Sequence, residues 1–286
     1  GGPSTGLPTR TEQGDLKFAI NASQGEFPKA VIAPGDVHEC FELAGEAFNI
    51  AEMFQTPVIL LTDKFLAESF ESVEKFDESK IRIERGLVLK EGEIPPHEGE
   101  FKRYALTESG VSPRTLPGTK GGIFRAQSYE HNEEGHFDET QENRIAMHEK
   151  RMRKVHSLAS YFPQPELTGE KNADVTFVSW GSPKGSVLDC MDVLKKRSVK
   201  ANFLQLKFLW PFPSKTVKEI LSKAKNPVLV ENNRTAQLGD LIAEQTGIMI
   251  KNRILRFDAR PFTPDFILDK LGELNETKKE KKRKRA

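Results

Sequence analysis

The chain has 286 residues, 37% of them hydrophobic and 30% charged, with a net charge of +1. That length accommodates two domains with separate cores, and the composition is that of a globular protein. No apolar run reaches the roughly 18 residues that a membrane-spanning helix needs, so no membrane-spanning helix is expected within these residues. Two cysteines, Cys40 and Cys190, cannot supply the four thiolates of an ordinary iron–sulfur cluster. They read as free core thiols in a reducing compartment, so a cytoplasmic location is expected. The small net charge hides an asymmetry: residues 277–286 carry seven basic side chains and Glu280. This basic tail reads as a solvated, disordered run, and without interleaved aromatics it does not read as a specific nucleic-acid binder.

The opening stretch, Gly1-Gly2-Pro3-Ser4-Thr5-Gly6-Leu7-Pro8-Thr9, is dense in Gly, Pro, Ser and Thr. Glycines let the backbone approach a ligand closely, and Ser4, Thr5 and Thr9 bring hydroxyls able to hold a carboxylate or carbonyl. Arg10 follows. Glu12, Gln13 and Asp15 stand at an expected helix start, where they act as caps or face a pocket or partner.

Residues 31–33 read as a short strand leading into Pro34-Gly35. Asp36 and Glu39 resemble a capping box. Val37, Phe41, Ala44, Phe48 and Ala51 follow at helical spacing, and Pro57 stops that helix near Phe54. The apolar run 58–62 reads as a strand buried on both faces, so 30–63 is one βαβ unit. Its sheet needs further strands.

From about 70 to 171 the periodicity fails. Short strands, such as one within 81–89, long ordered loops and one helix over 139–156 are expected, since a structureless run of that length is improbable in a compact domain. Arg114, beside Ser112-Pro113, reads as an exposed cation in an ordered turn. It serves a local ion pair or an interface. Five of the six histidines fall in this region; His131 and His136 lack the matching half of a metal site, and no metal site is expected.

From 173 onward strands and helices alternate with short links. Strands are expected at 175–180, 202–209, 227–231 and 253–258, and helices at 186–197, 215–224, 236–246 and 264–271. This pattern means a parallel sheet covered on both faces. Gly181-Ser182-Pro183-Lys184-Gly185 follows a strand and opens a helix, but it fits neither the dinucleotide nor the P-loop pattern and reads as a tight turn.

The opening loop with Thr11-Glu12-Gln13-Gly14-Asp15-Leu16 resembles the substrate-pocket loop of the α subunit of 2-oxoacid:ferredoxin oxidoreductases, most nearly the 2-oxoglutarate type. The resemblance continues in family order through Pro57 to Lys64, Gly110-Val111-Ser112-Pro113-Arg114 with Pro117-Gly118, and Glu130-His131 with Gly135. It resumes at Trp180-Gly181-Ser182, Leu209-Trp210-Pro211-Phe212-Pro213 and Pro261-Phe262-Thr263.

The resemblance implies an α/β fold. The end of a pyrimidine-binding thiamine diphosphate domain (1–70) is expected to lead through a connecting segment (71–171) to a transketolase C-terminal-like domain (172–274) and the basic tail (275–286). It implies oxidative decarboxylation of a 2-oxoacid to acyl-CoA with reduction of ferredoxin. Coenzyme A would be co-substrate, and a β subunit would hold thiamine diphosphate with Mg2+ and an iron–sulfur cluster. A hetero-oligomer with contacts between α subunits is implied as well.

The pocket residues carried over are Gly2, Pro3, Ser4, Thr5, Gly6 and Thr9. Arg10, Glu12, Gln13 and Arg114 stand as pocket or interface residues. The activating glutamate and the Tyr-Pro-Ile-Thr-Pro-like motif of the family have no counterpart here. The chain is therefore expected to lack its N-terminal part, to carry no catalytic residue of its own and to be inactive alone. The alternative is a non-catalytic assembly module of a thiamine diphosphate enzyme.

Overall fold

A computed structural model describes all residues except 3–5, 98 and 284–286. In chain order the elements are α1 (Leu16–Ile20), β1 (Ala30–Ile32), α2 (Val37–Phe54), β2 (Val58–Leu60), α3 (Lys64–Ala67), β3 (Val88–Leu89), β4 (Arg114–Thr115), α4 (Gln141–Tyr161) and β5 (Leu167–Gly169). They continue as β6 (Val175–Ser179), α5 (Pro183–Lys196), β7 (Ala201–Gln205), β8 (Phe208–Trp210), α6 (Ser214–Lys223), β9 (Pro227–Glu231), α7 (Gln237–Thr246), β10 (Asn252–Leu255) and α8 (Pro264–Arg283).

The expected βαβ unit forms. β1 pairs with β2 in parallel, in the register Ala30 to Val58. Asp36 caps α2 by accepting from the Glu39 amide at 2.8 Å. The Glu39 carboxylate then reaches back one residue beyond the usual box, to the Gly35 amide at 2.7 Å. Gln55, in the left-handed region, ends the helix.

The second sheet has the order β10-β9-β6-β7-β5. Its first four strands are parallel, and β5 runs antiparallel to β7. Side chains alternate across it with the period of two that a pleated strand imposes. Phe177, Phe203, Val228 and Val230 face a core with Val187 and Leu194 of α5 and Ile267 of α8. Val178, Leu204 and Leu229 face the other way, into a core with Val217 of α6 and Leu241 of α7. Val31 of β1 and Leu209 of β8 join that second core, so one apolar layer is shared by both sheets. Ala30, Ile32, Leu43, Ile50, Phe54, Leu158 and Phe208 fill the far side of the first sheet against α2 and α4.

Four expectations change. The run 58–62, expected as a strand buried on both faces, forms the edge strand β2, half-buried with Leu60 exposed, because the edge of the sheet leaves one flank uncovered. The single strand expected over 202–209 is two: β7 belongs to the second sheet, and β8 crosses to pair antiparallel with β1. Leu167–Gly169, left in the connecting segment, adds an edge strand to the second sheet. The last helix, expected to end at 271, keeps a helical backbone to Arg283, into the run read as disordered. The connecting segment forms a two-residue parallel ladder, β3 with β4, and packs on α2. There Asn49 donates to the Arg82 carbonyl at 2.8 Å and accepts from the Glu84 amide at 2.9 Å.

Candidate functional site

Of the loop 1–9, Pro3, Ser4 and Thr5 lie outside the described residues. The rest is a closed, exposed loop. The Leu7 amide donates to the Gly1 carbonyl at 3.3 Å, and the Gly2 amide donates to Glu12 Oε2 at 2.7 Å. Gly6 is exposed. Thr9 sits at φ +61°, an unusual conformation for a β-branched residue. Arg10 turns its Nη1 onto the Thr9 carbonyl at 3.2 Å and is exposed.

Glu12, Gln13 and Asp15 do not cap a helix. α1 begins at Leu16, and Asp15, at its N-cap position, makes no side-chain cap bond. The extended backbone instead sends alternate side chains in different directions. Thr11 is buried and donates to Asp63 Oδ1 at 3.2 Å, just past β2. Glu12 holds the loop through Gly2. Gln13, 2% exposed, enters the second sheet. Its Nε2 donates to the Trp180 carbonyl at 2.7 Å, and its Oε1 accepts from the Asn232 amide at 2.8 Å. Its own amide donates to the Asn232 carbonyl at 2.7 Å, and its carbonyl accepts from Asn233 Nδ2 at 2.9 Å.

Beneath Gln13 lies Glu231, the last residue of β9 and fully buried. It accepts from Trp180 Nε1 at 3.1 Å, Asn233 Nδ2 at 2.8 Å and the Leu238 amide at 2.8 Å. Burial pushes its carboxyl above the usual range, against the opposing pull of those donors. The carboxylate also satisfies a free amide in the first turn of α7, as a capping side chain would.

The loop borders a cleft of about 500 Å³ lined by Thr9, Arg10, Thr11, Lys64, Phe65 and Arg260, among others. Lys64 pairs with Glu68. Among the described residues no carboxylate pairs with Arg10 or Arg260. Two guanidinium forks and nearby threonine hydroxyls suit a carboxylate or phosphate, which guanidinium binds in bidentate geometry.

Arg114 stands apart from this cleft. Expected as an exposed cation, it is instead partly buried: it pairs with Glu52 of α2 and donates to the Arg85 carbonyl at 3.2 Å, partners within this chain. The Gly181–Gly185 turn is also committed internally. Lys184 is held by Asp36 and by Glu39 Oε1 at 2.7 Å, an arrangement that neutralises the turn's cation. Among the described residues no three His, Cys, Asp or Glu side chains stand together to hold a metal ion. Cys190 is buried, and burial pushes its thiol up to about 12.

The sequence reading missed Glu231, Asn232, Asn233 and Arg260. A signal was present: Glu-Asn-Asn directly after the apolar Val228-Leu229-Val230 places three polar side chains where a buried strand ends.

Residues 1–150 match the family model for the thiamine diphosphate-binding region of pyruvate flavodoxin/ferredoxin oxidoreductase, and 173–264 match core domain II of pyruvate:ferredoxin oxidoreductase. The α subunit of 2-oxoacid:ferredoxin oxidoreductase 1 from Sulfurisphaera tokodaii is 39% identical over 93% of this chain, which spans 42% of that protein. The 2-oxoglutarate synthase subunit KorA of Methanothermobacter thermautotrophicus is 27% identical over 96% of this chain and 71% of its own length. Among solved structures, the 2-oxoglutarate:ferredoxin oxidoreductase of Magnetococcus marinus, with 2-oxoglutarate, coenzyme A and succinyl-CoA bound, aligns with a TM-score of 0.86 at 33% identity. That alignment covers 96% of this chain and 47% of that one. The expected α/β fold, a thiamine diphosphate-binding region followed by a second parallel α/β domain, is the one observed, and the chain belongs to the pyruvate flavodoxin/ferredoxin oxidoreductase family.

Proposed function

We propose that this chain is part of the α subunit of a 2-oxoacid:ferredoxin oxidoreductase and builds one wall of the 2-oxoacid pocket. The overall reaction converts a 2-oxoacid, coenzyme A and two oxidised ferredoxins into acyl-CoA, carbon dioxide and two reduced ferredoxins. The observation that carries the reading is the loop 1–10, tethered by Glu12 and seated by Gln13 beside a cleft with two guanidiniums free of carboxylate partners.

Thiamine diphosphate, when bound, supplies the carbanion chemistry. On the family resemblance we assign its Mg2+–diphosphate and the iron–sulfur cluster to a β subunit. The role of this chain is to bind and orient. The resemblance assigns the loop's glycines and hydroxyls to the 2-oxo group, and Arg10 and Arg260, which line the cleft, attract a distal carboxylate. That second carboxylate favours 2-oxoglutarate, the acid named for two of the relatives. Exposed Phe18, Phe48 and Phe70 are available for subunit contacts.

The test is reduction of a viologen dye by the assembled enzyme, with 2-oxoglutarate and pyruvate compared. The complex should turn over and this chain alone should not. Arg10→Ala with Arg260→Ala should raise the KM for 2-oxoglutarate more than that for pyruvate. Turnover by the chain alone, or an assembled complex that binds its partner without any 2-oxoacid activity, refutes the proposal; the latter result is what an assembly module would give.

A further inference from the structure

Doubly wound parallel sheets bind ligands in the crevice outside the carboxyl ends of their strands, where the strand order reverses. Among the parallel strands of the second sheet β6 comes first in the chain, with β7 on one side of it and β9 on the other. The reversal therefore falls between β6 and β9. The residues that leave these strands are Trp180 and Asn232, the two that hold the side-chain amide of Gln13.

The crevice is filled from within. All four polar atoms of Gln13 are bonded there, and the residue is buried. Gly181 lines its passage at φ +66°, and a Cβ at that position would come within 2.7 Å of Gln13 Nε2. Two residues earlier, Thr11 is tied to Asp63 beyond the first sheet and accepts from the Phe65 amide at 3.3 Å. Between them Glu12 holds the Gly2 amide. Three consecutive side chains thus fix the loop to one sheet, to itself and to the other sheet.

We propose that Gln13 is a positioning residue for the 2-oxoacid: seated in the crevice between β6 and β9, it sets where Thr9 and Arg10, at the near end of the loop, stand against the cleft. The inference rests on the reading of that loop as a pocket wall. Gln13 acts through Glu12 and the loop backbone and does not touch substrate. Its loss should weaken 2-oxoacid binding while leaving coenzyme A use unaffected.

The experiment uses the assembled enzyme with Gln13→Ala, and with Gln13→Glu, which keeps the volume but removes the donor to Trp180. Two readouts are taken: KM and kcat for the 2-oxoacid and for coenzyme A, and the rate of tryptic cleavage after Arg10. The loss of one or two buried hydrogen bonds converts to roughly a tenfold rise in 2-oxoacid KM, with faster cleavage at Arg10. Gly181→Ala should act in the same direction, and its effect on KM should shrink in the Gln13→Ala background, where the clash is gone.

Unchanged cleavage overturns the inference. So does faster cleavage with an unchanged 2-oxoacid KM, or an equal loss for both substrates. Should Gln13→Ala fail to fold, Gln13→Glu and Gly181→Ala carry the same comparison. A parent enzyme without 2-oxoacid turnover sinks the function proposed above, and the seating of the loop is then decided by cleavage alone.

Discussion

Replacing Lys184 by methionine tests how the two sheets are held together. Lys184 Nζ lies between Asp36 and Glu39, with Glu39 Oε1 at 2.7 Å. The side chains of Lys184 and Glu39 are 17% and 8% exposed. Removing one partner of a buried pair costs about 3–5 kcal/mol, because the other charge is left uncompensated. Glu39 keeps the Gly35 amide and Gln205 Nε2, both at 2.7 Å, and Lys207 at 3.5 Å. Asp36 keeps the Glu39 amide. These remaining donors bring the expected loss down to about 2–3 kcal/mol.

The pH dependence of that loss has a definite sign. Burial pushes the Asp36 carboxyl up, but the bond from Lys184 and the Glu39 amide outweigh it and hold the group below 3.8. Burial pulls Lys184 down, but its bonds to Asp36 and Glu39 outweigh that and hold it above 10.5. By linkage, the Asp36 share is present above its unfolded value and fades as pH falls through the lowered one. The Lys184 share is present below its unfolded value and fades as pH rises through the raised one. The wild-type advantage over Lys184→Met should therefore be flat around neutrality and shrink at both extremes. Urea unfolding followed by circular dichroism measures it. A loss below about 0.5 kcal/mol, the range of an ordinary surface substitution, would refute the reasoning, as would an advantage that grows toward acid. Adding Glu39→Gln to Lys184→Met should recover part of the loss.

Two further outcomes follow from close approach and from burial. Gly110 has φ +79°, and a Cβ there would stand 2.3 Å from the Lys150 carbonyl, whereas Gly25, at φ +75°, has open space around it. Gly110→Ala should cost more than about 3 kcal/mol and Gly25→Ala about 1 kcal/mol; equal shifts in thermal unfolding would show that the contact with α4 is not the cause. Burial, and then the charges of Lys154, Arg103 and Arg151, pull the Lys150 ammonium down to about 7. The unfolded chain therefore binds more protons above that pH, and stability should rise with pH through the alkaline range up to the unfolded value. Lys150→Met should flatten part of that rise, although it also removes the donor at 2.7 Å from the Tyr104 carbonyl; an unchanged slope between wild type and variant would overturn the assignment.

Local chemistry was legible in the sequence wherever it is short-ranged. The Asp36 cap, the stop at Pro57 and the strands after 173 follow from neighbouring residues, and each forms within a few residues of its expected place. The break between β7 and β8 was not legible. Leu204, Leu206 and Leu209 are all buried, so the apolar run reads as one strand while the chain passes from one sheet to the next. The connecting segment was illegible for a different reason. It is held by side-chain bonds to distant backbone, such as Arg153 to the Thr107 carbonyl at 3.0 Å, which leave no periodicity. The loop 1–9 stands out in the sequence by its Gly, Pro, Ser and Thr content, but the seating of Gln13 depends on partners 167 and 219 positions away. No local pattern encodes such a pairing.

These long-range ties share one end of the molecule. Asp63 follows β2, Gly35 to Glu39 follow β1, Trp180 to Lys184 follow β6, and Asn232 and Asn233 follow β9. The carboxyl ends of the parallel strands in both sheets thus meet around the loop 1–10. They are joined by the Lys184 network, by the Thr11 and Gln13 bonds, and by the chain itself as it crosses from β7 to β8. A hinge between the sheets would have to break buried, charge-assisted bonds and expose the apolar layer that both sheets share. Rotation of one sheet against the other is therefore costly in this chain. On this joined frame Thr11, Glu12 and Gln13 anchor the stretch before α1, to the end of β2, to Gly2 and to the end of β6 respectively.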